Sequence, residues 1–237
     1  YKIDSYNIAY KNNLENDIKD STKIVYSNKS EEESWEYLKE LMNLIYYCND
    51  EKFNTEILNY IDLDNFVDNF ILMETIYNFD GLLKNDVLQY NIDTGKFIKI
   101  PWDLDLTFGK IWNSNVTLKS SNDINLSKKL LANTGNDATS TYIEQRLWQN
   151  NVGNFRQKVA KRWKELRSGF LETESFVNYA NNLYDEVTES GAREREHERW
   201  PDGGYSTDNS FIEKFIRQRL PYLDSQFLQY LDDSGEN

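Results

Sequence analysis

The sequence of residues 78–105 is NFDGLLKNDVLQYNIDTGKFIKIPWDLD, and this stretch decides the fold. Two short runs, residues 87–90 and 97–100, are rich in the β-branched and aromatic residues that strands favour. Between them, residues 93–95 (Asp-Thr-Gly) have the composition of a tight turn. The pattern therefore predicts a β-hairpin with an acidic segment at each end, residues 80–85 before it and residues 103–105 after it.

The spacing of these acidic residues is that of a kinase catalytic lobe. In the motif H-R-D-x-x-x-x-N, an Asp accepts the proton of the substrate hydroxyl, and an Asn five residues later holds magnesium. Asp80 and Asn85 have this spacing. A second Asp must then return to the same place to bridge metal and phosphates, and Asp103 follows Asp80 by 23 residues across the predicted hairpin. The hairpin would bring both segments to one cleft.

Three runs carry a more specific resemblance: NFVDNF at residues 65–70, NFDGLLKN at residues 78–85 and GKFIKIPWDLDLTFG at residues 95–109. Together they resemble the spore coat protein H (CotH) kinase family. A looser likeness in residues 154–163 and 211–220 extends the resemblance over most of residues 55–230. It implies an atypical, ATP-dependent protein kinase that transfers the γ-phosphoryl group to Ser or Thr of a protein substrate. It also implies a spore-coat or extracellular setting and a link to sporulation.

The resemblance makes Asp80 the catalytic Asp and Asp103 the metal-binding Asp, with ATP and Mg²⁺ as cofactors. Asn85 would be a second metal ligand. Asp105 could be a further ligand, an orienting group or a solvated side chain. The ring of Trp102 could stack on adenine or belong to the core. Asp103 follows an apolar strand, so we expect its carboxylate to be partly buried and to need a partner.

Helical patterns surround the hairpin, so the predicted fold class is α+β, mainly helical, with an atypical protein-kinase-like catalytic lobe and a small antiparallel β-hairpin. Ser30 and Glu33 form a capping box that opens one helix. A second helix carries apolar residues 66, 70, 73 and 77 on one face and delivers Asp80 at its end. Further helices are predicted over 139–149, 155–166 and 176–187, with an exposed loop over 113–127. Ser210 is expected to cap the last helix, and Pro221 to kink or break it.

The first 50 residues contain no glycine, so nothing before Asp80 resembles a glycine-rich phosphate loop. We therefore expect residues 1–237 to form a single domain, the C-terminal portion of a CotH-type kinase domain without its nucleotide-covering part. On this expectation the chain by itself could be inactive.

The net charge of −13 argues against nucleic acid as a partner, because binding to phosphates needs a basic surface. No apolar run reaches membrane-spanning length, so no membrane span is predicted. The expected partner is a protein with Ser or Thr acceptors.

Two alternatives use the same residues. A pseudokinase or spore-coat assembly scaffold would keep Asp80, Asn85 and Asp103 for ion binding or packing. A phosphatase of the haloacid-dehalogenase type would use Asp103 as nucleophile and Asp105 as general acid and base. The phosphatase requires a doubly wound sheet, with strands and helices alternating after the motif.

Overall fold

The computed structural model describes residues 1–3, 22–25, 27, 29–78, 85–109, 130–131, 143–201 and 209–231. The strands are β1 (Lys2–Ile3), β2 (Thr22–Lys23), β3 (Asp86–Asn91) and β4 (Lys96–Ile100). The α-helices are α1 (Glu31–Tyr46), α2 (Asp50–Glu56), α3 (Leu63–Ile76), α4 (Ile143–Asn150), α5 (Phe155–Arg167), α6 (Thr173–Glu189), α7 (Ala192–Arg199) and α8 (Ser210–Phe227). Short 3-10 turns occupy Ile57–Asn59, Val152–Asn154 and Leu228–Tyr230. The described part is thus mainly helical with one small sheet, as the sequence predicts.

The predicted hairpin is confirmed. Strands β3 and β4 pair antiparallel from Val87↔Ile100 to Asn91↔Lys96, and the short β1 and β2 extend the sheet in the order β2-β1-β3-β4. Gly95 closes the turn with a φ of 69°, a left-handed conformation that glycine adopts without strain. The inner face of the hairpin places Leu88 and Phe97 in the hydrophobic core.

Helix α1 begins where the capping box predicts. The backbone N–H of Glu33 donates to Ser30 Oγ, and the N–H of Ser30 donates to a Glu33 carboxylate oxygen, each over 3.2 Å. One face of the helix then enters the core through Leu38, Leu41 and Ile45. The prediction made from residues 30–45 is therefore confirmed.

Helix α3 leads toward the site. Asp62 caps its first turn by accepting bonds from the N–H groups of Asp64 and Asn65, both at 3.1 Å. The helix ends at Tyr77, whose φ of 53° is left-handed, and the N–H of Asn78 then donates to the Met73 carbonyl over 3.0 Å. This is the geometry of a Schellman ending with tyrosine at the position that glycine usually fills.

An aromatic cluster joins four of the helices. The ring of Phe70 lies 5.2 to 5.9 Å from the rings of Trp148, Phe155 and Phe227, and the ring of Trp148 lies 5.6 Å from that of Phe227. Trp163 packs edge-on against Phe227 at 5.4 Å. Large rings bury much apolar surface per residue, so this cluster fixes α3, α4, α5 and α8 against one another.

Two predictions about the last helix are tested. Helix α8 is not broken at Pro221, because Leu220, Leu223 and Phe227 are fully buried and hold both halves against the core, while a kink there stays a prediction. The prediction that Ser210 caps the helix is wrong. Ser210 is the first helical residue, and the residue before it, Asn209, makes no side-chain capping bond. The predictions for Asp80, for 139–142 and for the loop at 113–127 fall outside the described residues.

Helices α5 and α6 confirm the predictions for 155–166 and 176–187. None of the helices in the described ranges is long and apolar enough to cross a membrane. The sheet contradicts the phosphatase alternative, because its strands all pair antiparallel and the regular elements described after the motif are all helices.

Candidate active site

The site lies at the open end of the hairpin, where β3 begins and β4 ends. Backbone pairing stops at Val87↔Ile100, since the residue that follows β4 is Pro101, which has no N–H to donate. Beyond it the chain turns, and Asp103 has a φ of 56°. The Asn85 side-chain amide donates from Nδ2 to Asp103 Oδ2 over 3.0 Å. Two of the three predicted kinase residues therefore meet.

The two partners differ in burial. Asn85 is only 6% exposed, whereas Asp103 is exposed. The expectation of a partly buried Asp103 is wrong, because β4 ends three residues earlier at Ile100 and the turn carries the carboxylate to the surface. Its role as a metal ligand stays a prediction.

Trp102 and Asp105 flank Asp103 and are both exposed. Trp102 is 50% exposed, which contradicts its interpretation as a core aromatic and leaves its ring face accessible. Asp105 lies two residues beyond Asp103, so a second carboxylate is close along the chain. Nucleotide stacking by Trp102 and ligation by Asp105 remain predictions.

Asp80 lies outside the described residues, but both ends of the segment that contains it contact the segment after β4. The carbonyl of Ile76 accepts a bond from the N–H of Phe108 over 2.7 Å. At the other end, Asn85 bonds to Asp103. The chain therefore enters and leaves residues 79–84 beside residues 103–108.

Backbone strain is concentrated around this site. Six residues other than glycine have positive φ in the described part of the chain, and four of them border the site: Tyr77 (53°), Asn85 (63°), Asp103 (56°) and Phe108 (54°). Such conformations cost on the order of 1–3 kcal/mol each and tend to occur at functional sites. Asn tolerates the left-handed region, but bulky Tyr and Phe do so rarely.

Buried contacts hold the strained backbone in place. Phe108 packs against Phe176 and Phe215 at 6.2 and 6.0 Å between ring centroids. Burial raises the pKa of Tyr77 to about 12, so its phenol stays neutral.

A buried ion pair fixes the last turn of α3. Arg219 of α8 donates from Nη2 to Glu74 Oε2 over 2.8 Å and from Nε to the Glu74 carbonyl over 2.7 Å. The N–H of Leu131 reaches the same carboxylate oxygen over 2.9 Å. Three distant parts of the chain thus meet directly before residues 79–84.

Sequence reasoning missed a second buried charge cluster behind the hairpin, made of Asp86, Lys99 and Glu144. The Lys99 ammonium contacts Asp86 Oδ2 directly and lies 3.2 Å from Glu144 Oε1 on α4. Burial by itself lowers the pKa of Lys99, but the two carboxylates more than offset it and the pKa lies above its usual value. Burial raises the pKa of Glu144, although Lys99 opposes this change. Alternation along β4 could have predicted that Lys99 is buried, since Lys99 lies on the same inner face as Phe97.

A groove of about 660 Å³ runs along β3 next to the site. Its lining includes Val87 and Ile100, the pair that closes the ladder, together with Tyr37, Gln89 and Ile92. The groove therefore begins two residues after Asn85 and three residues before Asp103. Its volume lies within the range of roughly 300–1,000 Å³ typical of small-molecule sites.

The sequence profile of the CotH kinase protein family matches residues 1–223. The chain belongs to this family. The Inner spore coat protein H of Bacillus subtilis (strain 168) is similar, with 30% identity over 108 residues. That match takes in 45% of this chain and 30% of the relative, so the chain covers less than two thirds of the relative's length. The resemblance deduced from residues 65–109 is thus confirmed at the level of the family.

Proposed function

We propose that this CotH family chain is the catalytic part of an atypical protein kinase that transfers the γ-phosphoryl group of ATP to Ser or Thr of a protein. The observation that carries the proposal is the 3.0 Å bond between Asn85 Nδ2 and Asp103 Oδ2 at the open end of the hairpin. In kinases the catalytic-loop Asn and the second Asp act on the same metal–phosphate assembly, so they must lie together. The likeness to a kinase lobe is part of this proposal.

The residues present suit Mg²⁺. Magnesium prefers hard oxygen ligands and commonly takes one or two carboxylates, with waters and substrate phosphates completing its shell. Asp103 and Asp105 offer exposed carboxylates, and Asn85 offers an amide. Within the described ranges there is no group of three or more His, Cys, Asp or Glu that could hold a metal, so phosphate and water would supply the remaining ligands. Bound there, Mg²⁺ would neutralise charge that develops on the phosphates.

Each residue has a distinct role in the proposal. Asp80 orients the substrate hydroxyl and accepts its proton as the new O–P bond forms and the bond to ADP breaks. Asn85 and Asp103 hold the metal, with Asp105 as a further ligand. The groove along β3 receives the nucleoside, and Trp102, which is exposed two residues beyond the groove residue Ile100, would stack on the base. Support for this last step comes from the groove's volume and from its position beside the closing pair.

The substrate is proposed to be a spore-coat or secreted protein with Ser or Thr acceptors. The relative's name places that protein in the inner spore coat, and we infer a similar setting for this chain. The net charge of −13 would favour a substrate with basic residues around its acceptors.

One observation favours a second candidate, a coat-assembly scaffold without catalysis. The Asn85–Asp103 bond already gives the Asp103 carboxylate a partner and ties the two strands together. A scaffold would need this bond for packing or for holding an ion. Phosphoryl transfer separates the two functions, since a scaffold predicts none.

The test measures transfer from radiolabelled ATP with Mg²⁺ to a basic, Ser-rich protein, together with the affinity for ATP–Mg²⁺. Asp80→Asn removes the proton acceptor, so turnover should fall about 10²- to 10⁴-fold with little change in affinity. Asp103→Asn should weaken both turnover and metal-dependent nucleotide binding. Asp185→Asn makes the same change on the exposed face of α6 and serves as the matched control. Undiminished transfer by Asp80→Asn would remove the proposal, and absence of transfer by a longer protein that includes the expected nucleotide-covering part would favour the scaffold.

A further inference from the structure

The cluster of Asp86, Lys99 and Glu144 is buried directly behind the candidate site. The three side chains are between 5 and 7% exposed. The Asn65 side chain also holds the backbone of Lys99 through two bonds. The Lys99 N–H donates to Asn65 Oδ1 over 2.7 Å, and the Lys99 carbonyl accepts from Asn65 Nδ2 over 3.3 Å. Lys99 therefore has a fixed position on β4, with its ammonium inside the protein.

The cluster spans the last pair of the β3–β4 ladder on its inner face, next to the Asn85–Asp103 bond. The last ladder pair is Val87↔Ile100, and Asp86 directly follows Asn85 in the chain. Lys99 contacts Asp86 across the two strands on the inner face. Lys99 pairs with Leu88 one residue before the end of the ladder, and its side chain reaches past the last pair to Asp86, next to the Asn85–Asp103 bond.

The charges in the cluster do not balance by simple pairing. Two carboxylates face one ammonium, and the second oxygen of Glu144 has no hydrogen-bond partner in the part of the chain that the structure describes. Burial raises the pKa of Glu144, which favours its neutral form. The Lys99 ammonium is therefore the group that attaches the end of the hairpin to α4.

We propose that Lys99 is a positioning residue, which holds the ends of β3 and β4 so that Asn85 and Asp103 meet. Lys99 is four residues from Asp103 and its partner Asp86 is one residue from Asn85, so a shift of its ammonium moves both ends of the bond. Asn85 and Asp103 both have positive φ values, which Asn and Asp tolerate but populate less than other conformations, so contacts that fix the strand ends help to keep them there. The consequence for catalysis rests on the proposed function, but the positioning itself does not.

The first readout needs neither metal nor nucleotide. The Asn85 side-chain amide is followed by ¹⁵N NMR in the 237-residue chain. The Asn85 amide signal is assigned because it disappears in Asn85→Ser. In Asp103→Ala the amide has lost its acceptor Asp103 Oδ2, so this variant gives the chemical shift of the amide without the bond. Lys99→Met should move the chemical shift of the Asn85 amide toward the value seen in Asp103→Ala. The second readout is the affinity for Mg²⁺ alone, measured by calorimetry, which should fall about 10- to 100-fold, the range for lost support of a metal ligand.

Two further variants control for damage to the fold. Lys99→Met leaves two buried carboxyl groups without their cation, and in Lys99→Met/Glu144→Gln one of them can no longer ionise, so this variant should lose less stability. Arg167→Met removes a cation that binds Asp224 through two bonds, at 2.9 and 3.0 Å, between α5 and α8. It should lower thermal stability without moving the Asn85 signal.

The outcomes separate the two proposals. An unchanged Asn85 signal in the folded Lys99 variants would overturn the positioning role, whatever their stability. A moved signal in both Lys99 variants and an unmoved one in Arg167→Met would support it. If the parent chain binds no Mg²⁺, the proposed function loses its metal site, and the amide signal alone still decides the role of Lys99.

Discussion

The ion pair between Glu74 and Arg219 gives the sharpest stability prediction. Their side chains are 1% and 0% exposed, and the Glu74 carboxylate accepts bonds from Arg219 at 2.8 Å and from the N–H of Leu131 at 2.9 Å. Glu74→Gln keeps the size of the side chain but takes away the negative charge. Removing one partner of a buried pair costs about 3–5 kcal/mol, because the remaining charge stays buried. Gln still offers an acceptor, so we expect the lower end, about 3 kcal/mol.

The measurement is thermal unfolding followed by far-UV circular dichroism. For a chain of this size, each kcal/mol lowers Tm by about 2–4 °C, so Glu74→Gln should lower Tm by roughly 6–12 °C. The matched control is Glu165→Gln. Glu165 accepts from Arg162 over 3.3 Å, but their side chains are 54 and 42% exposed. Exposed pairs contribute at most about 1 kcal/mol, so the control should barely change Tm.

The comparison can refute the reasoning directly. If both Glu→Gln variants lose the same stability, burial is not what makes the Glu74 pair costly to break. If Glu74→Gln loses less than about 1 kcal/mol, Arg219 finds other acceptors and the pair does not fix the end of α3.

Two further predictions concern buried positions. The folded-state pKa of Glu144 is raised, so the stability that this carboxyl group contributes is complete below its unfolded pKa and is lost as pH rises through its folded pKa. In Glu144→Gln this loss should be absent, so its free energy of unfolding, measured with urea, should rise relative to that of the parent as pH increases. Identical pH profiles for the two proteins would contradict the prediction. Gly153 has a φ of 59°, and an added Cβ would lie 3.0 Å from side-chain atoms of Leu58 and Leu63. Gly153→Ala should therefore lose about 1–2 kcal/mol, whereas Gly169→Ala, with nothing within 4 Å of the added Cβ, should be neutral or slightly stabilising.

The elements that the sequence predicted are those whose signals are local. The hairpin follows from strand-forming residues on each side of a turn that ends in Gly95. Helix α1 follows from a capping box and a regular apolar face. In each case a few neighbouring residues determine the backbone, so no knowledge of the rest of the chain is needed.

The errors arise where distant parts of the chain decide the outcome. Pro221 disfavours a continuous helix locally, but burial of Leu220 and Leu223 outweighs it. The Glu74–Arg219 pair spans 145 residues, and no local pattern predicts it. The apolar strand before Asp103 predicts a partly buried carboxylate. That prediction fails because the exposure of Asp103 depends on the turn after Pro101 and not on the strand.

The candidate site also combines features that local sequence predicts with features that only tertiary packing decides. The spacing of Asp80, Asn85 and Asp103 follows from the chain alone, and so does the expectation that a hairpin brings its ends together. The cluster behind the site has a weaker signal. Strand alternation places Lys99 on the inner face, but Glu144 lies 45 residues further on and only tertiary packing brings it there.

Strain bears on the choice between kinase and scaffold. Positive φ at Tyr77, Asn85, Asp103 and Phe108 lowers stability, by on the order of 1–3 kcal/mol for each bulky residue. A scaffold that needed only a closed hairpin would be more stable with glycine at Asp103, since glycine adopts this conformation without strain. The chain instead carries an exposed carboxylate there, bonded to a buried amide. A surface carboxylate fixed by a buried amide is open to a bound ion and adds little to packing, and this favours the kinase over a scaffold that needs these residues for packing alone.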